Sequence, residues 1–143
     1  MLFNSILLSV DLNAPNSWKK STEFAVKMAQ TVGAELHVIA VLPDFGMSIV
    51  GSYFDKSFEQ KAMQEINSRL TGFVSDNIPS DVKSTAHIGH GSVYDEIMKT
   101  ADKVKCDAIV IGAHRPELKD YLLGPNAARV VRHANQSVFV IRD

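Results

Sequence analysis

The chain has 143 residues, of which 45% are hydrophobic and 22% are charged, a composition typical of one globular domain spanning residues 1–143. The net charge is −1 and lysines and arginines form no cluster, which argues against nucleic acid as the main partner. The single cysteine, Cys106, excludes an internal disulfide, suits the reducing cytoplasm and is expected to be a small buried side chain.

Short apolar runs alternate with amphipathic stretches along the whole chain. The first run, Ser5–Val10, lies in an opening that lacks a basic segment and is interrupted by Asp11. We therefore expect a buried strand there, and neither a signal peptide nor a membrane span. Further strands are predicted at residues 35–42, 83–89, 108–111 and 137–141, with the polar run at 83–89 suited to a sheet edge. Helical periodicity predicts four helices that begin at Ser17, Ser57, Val93 and Pro125.

Residues at the expected helix ends support this division. Gly33 suits a left-handed C-cap of the first helix, and Ser92 with Asp95 resembles a capping box. Pro125 suits the first turn of the fourth helix, and Asn135 is expected to close that helix in a left-handed conformation. The buried face of the fourth helix is predicted to comprise Ala127, Val130, Val131 and Ala134.

The alternation of strands and helices predicts an α/β protein with a parallel sheet covered by helices on both faces. Ligands of such sheets bind beyond the carboxyl ends of the strands, where the winding direction reverses. The first strand ends at Asp11 and the fourth at Gly112. If these two strands are neighbours, Asp11 faces the loop that follows Gly112. Asp11 could serve only to form a turn before Asn13, but its place at the end of a buried first strand favours a ligand role.

The stretch from Gly112 to Gly124 joins a buried strand to a helix N-terminus, and this arrangement favours binding of an anion. The first N–H groups of a helix have no internal partners and carry a partial positive charge. Glycines at both ends would allow the backbone to approach a phosphate. The alternative is that both glycines only turn the chain, and the residues alone do not decide between these interpretations.

The sequence resembles the universal stress protein family over essentially its whole length, and most closely the F/G-type members. The segments that carry the resemblance are ILLSVDL, ELHVIAVL, GHGSVYDEI and IGAHRPELKDYLLGPNAARVVRHANQSVFVIR. The last segment is the most specific, because a glycine, a His-Arg-Pro turn, a leucine pair, a second glycine and Arg-His-Ala recur together in that family.

The resemblance implies a five-stranded parallel sheet of order 3-2-1-4-5, flavodoxin-like or adenine-nucleotide-hydrolase-like, that binds ATP, with or without Mg²⁺. Asp11 would hold the adenine or ribose, and the backbone of Val41 would meet the adenine edge. Gly112 would approach the ribose and α-phosphate. The remaining residues implied at the nucleotide are His114, Arg115, Gly124, Pro125 and Asn126. For His114, exposure in a solvated loop is an equally good interpretation.

Three positions depart from the motif of the ATP-binding members. Arg115 replaces the second glycine of Gly-x-x-Gly, the step from Gly112 to Gly124 is one residue shorter, and Pro125 replaces a serine or threonine. An arginine beside phosphates adds charge and donors. Pro125 removes a hydroxyl and a backbone N–H, so we expect phosphate binding to be weakened.

The implied function is a cytoplasmic stress-response sensor or switch that binds an adenine nucleotide. No Ser-His-Asp order or Walker motif is present, so ATP hydrolysis is expected to be slow or absent. The alternatives are a non-nucleotide interaction module of the same family and a slow ATPase. The apolar last strand, Ser137–Ile141, would lie at a sheet edge, and family members dimerise through it, which implies a homodimer.

Overall fold

The computed structural model describes residues 2–43, 56–113 and 124–142. The strands within them are β1 Ser5–Val10, β2 Glu35–Pro43, β3 Ser84–Gly91, β4 Ala108–Gly112 and β5 Ser137–Ile141. The helices are α1 Pro15–Val32, α2 Lys56–Asn77, α3 Val93–Val104 and α4 Pro125–His133. The strands form one parallel sheet in the order β3-β2-β1-β4-β5, which confirms the predicted fold class and strand order.

Alternate side chains of the central strands enter two separate hydrophobic cores, because successive residues of a strand point to opposite faces. Ile6 and Leu8 of β1 pack on the face covered by α1 and α2. Leu7 packs on the opposite face, with Ile97 of α3 and Val130 of α4. Helices on both faces explain why β1 and β4 read as continuous apolar runs. Among the described residues, no helix is long and apolar enough to cross a lipid bilayer.

The helices agree with the predictions at two caps and differ from them at three other positions. Gly33 is left-handed with φ 73°, and the Ser92 hydroxyl accepts a hydrogen bond from the Asp95 N–H. Helix α1 begins at Pro15 rather than Ser17, since a proline suits the first helical residue, where no N–H is needed. Two predictions for α4 are wrong: Val131 is 45% exposed, and the chain leaves the helix through an extended Ala134, so Asn135 is not left-handed.

The carboxylate of Asp107 holds the amino ends of β1 and β4 together. It accepts hydrogen bonds from the backbone N–H groups of Asn4 and Ser5 at 3.0–3.2 Å, and its own N–H donates to the Ser5 carbonyl. This contact bridges residues about one hundred positions apart in sequence. It helps to fix the register of the two strands whose opposite ends carry Asp11 and Gly112.

A histidine pair joins β2 to β3 on the face that α3 covers. His37 Nδ1 and His87 Nε2 lie 2.8 Å apart, so one nitrogen donates and the other accepts. His37 is buried, and its Nε2 lies 3.4 Å from the Glu35 carboxylate, which also pairs with Lys83. Burial, with smaller contributions from the charges of His37 and Lys103, lowers the pKa of His87 below its usual value of 6.5.

We expect this pair to make the protein less stable in mild acid. Between the lowered folded pKa of His87 and its unfolded value, the unfolded chain binds more protons, so stability is present above that window and is lost as pH falls through it. Urea unfolding at about pH 7.5 and pH 5.5 measures the loss. His87→Gln should make this pH dependence smaller, whereas His133→Gln, at an exposed histidine, should retain the wild-type dependence. An unchanged dependence in His87→Gln would contradict the assignment.

Candidate functional site

Three neighbouring strands bring predicted site residues to one edge of the sheet. The pairing of β1 with β2 extends to Val10 and Ala40, so Asp11 and Val41 are the next residues on these strands. The pairing of β1 with β4 brings Gly112, the last residue of β4, to the same edge. The strand order reverses between β1 and β4, which is where open parallel sheets bind their ligands.

Asp11 is exposed and forms the turn that follows β1. Its Oδ1 accepts a hydrogen bond of 3.0 Å from the Asn13 N–H, and its carbonyl accepts one of 3.0 Å from the Ala14 N–H. The turn-forming role considered from the sequence is therefore present. The turn occupies only one oxygen of the Asp11 carboxylate, because Oδ2 has no hydrogen-bond partner among the described residues. A ligand role for Asp11 stays a prediction.

Gly112 is required by helix packing. A Cβ at this position would overlap the carbonyl oxygen of Ser17 and lie 3.3 Å from the Ser21 hydroxyl. Both residues belong to α1, whose first turns cross over the end of β4. The structure thus gives a reason for glycine that differs from ligand approach, and the expected contact of Gly112 with a ribose stays a prediction.

The N-terminus of α4 lies at the same edge of the sheet. The backbone N–H of Tyr94, in the first turn of α3, donates to Asn126 Oδ1 at 3.2 Å, and this bond ties the starts of the two helices together. The guanidinium of Arg129 lies 4.0 Å above the Tyr94 ring and reinforces the contact. Helix α3 begins directly after β3, so its first turn lies beyond the carboxyl ends of the strands.

No side chain in the described part of the chain caps the N-terminus of helix α4. Gly124 is buried at the N-cap position with φ −70° and ψ 166°, a conformation open to any residue, and Pro125 follows in the first turn as predicted. Within residues 2–43, 56–113 and 124–142, no side chain accepts a hydrogen bond from the first N–H groups of α4, which suits an anion there except at Pro125, which has no N–H. His114 and Arg115, also predicted to contact the nucleotide, lie outside the described residues.

Cys106 is unsuited to a role in chemistry. The residue is only 5% exposed, and burial, with the negative charges of Asp107 and Asp102, raises the pKa of its thiol to about 12. A thiol of this kind stays protonated and unreactive at neutral pH, in agreement with the predicted role as a small buried side chain. Among the described residues, no group of three or more histidine, cysteine, aspartate or glutamate side chains is arranged to hold a metal ion.

Comparison with known proteins identifies the family. A model of the universal stress protein family matches residues 3–142. The chain belongs to the universal stress protein family. Universal stress protein G of Escherichia coli O157:H7 is 30% identical over 147 residues, a match that covers 99% of this chain and 100% of the relative. This similarity agrees with the F/G-type resemblance that the sequence motifs indicated.

Solved structures of other universal stress proteins share the fold. One from Archaeoglobus fulgidus, in complex with dAMP, has a TM-score of 0.64 and 22% identity, covering 99% of each chain. Another, in complex with cAMP, has a TM-score of 0.71 and 17% identity, covering 98% of this chain and 97% of the other. At these identities the likeness establishes the fold of this universal stress protein and leaves its ligand open.

Sequence reasoning missed three residues that shape this edge of the universal stress protein. Ser17 presents the carbonyl that packs against Gly112, Tyr94 joins the two helix N-termini, and Arg69 of α2 contacts the turn after Asp11. A local pattern could not have revealed these contacts, because each depends on chain segments far apart in sequence. The strand order alone could have suggested that α1 passes near Gly112.

Proposed function

We propose that this universal stress protein binds an adenine nucleotide, ATP in the first instance, at the carboxyl edge of β1 and β4, and acts as a nucleotide sensor or switch in the cytoplasm. The observation that carries the proposal is the meeting of Asp11, Val41 and Gly112 where the strand order reverses. The uncapped N-terminus of α4 at the same edge supports it, since such ends favour phosphate.

The identity of the ligand is supported by the relatives. Two proteins of the same family and fold are complexes with cAMP and dAMP, so an adenine nucleoside phosphate is the ligand class that we infer for this chain. In the proposed complex, Asp11 and Val41 contact the nucleoside and Gly112 lies beside the ribose. The α4 N-terminus at Gly124 and Asn126 faces the phosphates, and His114 and Arg115 are proposed as further contacts.

We expect calorimetric titration of the purified protein with Mg-ATP to give a measurable heat of binding that is lost in Gly124→Val. The valine side chain would stand where the phosphates meet the α4 N-terminus. Gly72→Ala in α2, where an added Cβ meets nothing within 4 Å, is a control outside the site and should bind like wild type. Thermal unfolding of each variant verifies that it is folded. No heat with wild type, or equal heats for wild type and Gly124→Val, would reject the site assignment.

We further propose that the protein is a homodimer formed through β5. This strand occupies one edge of the sheet, and its segment Ser137–Ile141 contains no lysine or proline to protect that edge. Its apolar side chains are only partly buried within one chain. Light scattering coupled to size exclusion should give the dimer mass at tens of micromolar, and Val140→Lys should shift it toward monomer. A monomeric wild-type protein would contradict the proposal.

A second candidate function is a dimeric interaction module that binds no nucleotide. The observation in its favour is Pro125 in the first turn of α4, where a hydroxyl and an N–H are both missing from the proposed phosphate site. Heat denaturation of freshly purified protein, followed by chromatography of the supernatant, separates the candidates. Released adenine nucleotide supports the first function. Its absence, together with no calorimetric signal, supports the second.

A further inference from the structure

We propose that Arg69 of α2 is a positioning residue for the nucleotide site, and that it presets the carboxylate of Asp11 by clamping the turn that follows β1. This inference rests on the proposed nucleotide function. Arg69 is distant in sequence from every predicted site residue, and the fold brings it next to the turn after Asp11.

The clamp consists of two hydrogen bonds from one guanidinium group. Nη2 of Arg69 donates to the Leu12 carbonyl oxygen at 2.8 Å, and Nη1 donates to the Asn13 side-chain oxygen at 3.0 Å. The planar guanidinium holds its donors in a fixed fork, so two acceptors on adjacent residues are fixed relative to each other. The main chain at Leu12 and the side chain of Asn13 are thereby both attached to α2.

The clamped turn is also bonded to the candidate ligand carboxylate. The Asn13 N–H donates to Asp11 Oδ1 at 3.0 Å, and the Ala14 N–H donates to the Asp11 carbonyl at 3.0 Å. Arg69 therefore acts on Asp11 through Asn13, without touching it. Because one carboxylate oxygen is held by the turn, Oδ2 is the oxygen left to meet a ribose or adenine donor.

This arrangement is expected to affect affinity through preorganisation. A turn that is already ordered loses less conformational freedom when the ligand binds, and that saving appears as tighter binding. The guanidinium is exposed, so its two bonds contribute modestly to the stability of the whole fold. The expected signature of Arg69→Ala is a loss of affinity with little change in melting temperature.

The test compares nucleotide affinity in a double-mutant cycle. Arg69→Ala should weaken ATP binding about five- to tenfold in the wild-type background, and change it less than about twofold in an Asp11→Ala background. Arg69→Lys keeps the charge but lacks the forked pair of donors, so its ATP affinity should be close to that of Arg69→Ala. Lys61→Ala, another exposed cation of α2, is the matched control and should bind like wild type.

Amide hydrogen exchange supplies a readout that needs no ligand. The Asn13 N–H should exchange about tenfold faster in Arg69→Ala than in wild type or Lys61→Ala. If wild type binds no nucleotide, both the proposed function and this inference fail. If wild type binds and Arg69→Ala or Arg69→Lys binds equally well, or exchange at Asn13 is unchanged, only the inference fails. If Arg69→Ala weakens ATP binding as much in the Asp11→Ala background as in wild type, the role of Arg69 is merely structural and the inference is also overturned.

Discussion

Replacing Gly112 with alanine is expected to destabilise the protein by about 3 kcal/mol, the upper part of the range for overpacked cores. The added Cβ would overlap the Ser17 carbonyl oxygen, a backbone atom of α1 that cannot rotate away. Relief would require α1 to move off β4, and the buried face of α1 packs in the same core as β1. The interior of a protein is too closely packed to absorb such a shift cheaply.

Urea unfolding of Gly112→Ala and of Gly72→Ala measures this effect against a matched glycine. At Gly72 an added Cβ has open space, and alanine is favoured over glycine within a helix. Gly72→Ala should therefore gain about 0.5–1 kcal/mol of stability. Opposite signs for the two substitutions are the expected result. Wild-type stability in Gly112→Ala would show that α1 does not lie against β4 as described.

Replacing Pro125 with serine is expected to tighten ATP binding by about ten- to a hundredfold. The serine would return a backbone N–H and a hydroxyl to the first turn of α4, at the end of the helix where an anion is favoured. A hydrogen bond to a charged group contributes roughly 1.5–3 kcal/mol, and each 1.4 kcal/mol is about a tenfold change in affinity. Binding that improves on substitution cannot be explained by damage to the fold.

Calorimetric titration of wild type, Pro125→Ser and Pro125→Ala with Mg-ATP separates the contribution of the backbone N–H from that of the hydroxyl. Pro125→Ala restores the N–H without the hydroxyl, and its affinity should fall between those of the other two proteins. Proline also favours the first helical turn, so both variants should lose a little stability while binding more tightly. Affinity that is equal in all three proteins would mean that the phosphates do not reach the α4 N-terminus.

The strands were predictable because their signal is local. Ile6, Leu7 and Leu8 form a short apolar run typical of a strand buried on both faces, and β4 has the same character. The order of the strands in the sheet was predicted from the family resemblance. The residues of a single strand do not indicate which strands lie beside it. The predicted start of α1 at Ser17 is two residues too late, because the change to helical periodicity does not report that Pro15 suits the first helical position.

The candidate site was predictable only in part. The ends of β1 and β4 pointed to Asp11 and Gly112, but the packing of Gly112 against Ser17 depends on how close α1 approaches, which no pattern within β4 reports. The clamp from Arg69 to Asn13 spans 56 residues, and the pair of His37 with His87 spans 50. Such contacts carry no periodic signal, because each residue alone is an ordinary polar side chain on a helix or strand.

The most direct test of nucleotide binding at this edge is a titration of ¹⁵N-labelled protein with Mg-ATP, followed by the backbone amide signals. We expect saturable shifts at Asp11, Asn13, Val41, Gly112 and Asn126, and little change at the opposite edge near Asn4 and Asp107. Shifts confined to residues away from the carboxyl ends of β1 and β4, or no shifts at millimolar nucleotide, would contradict the account.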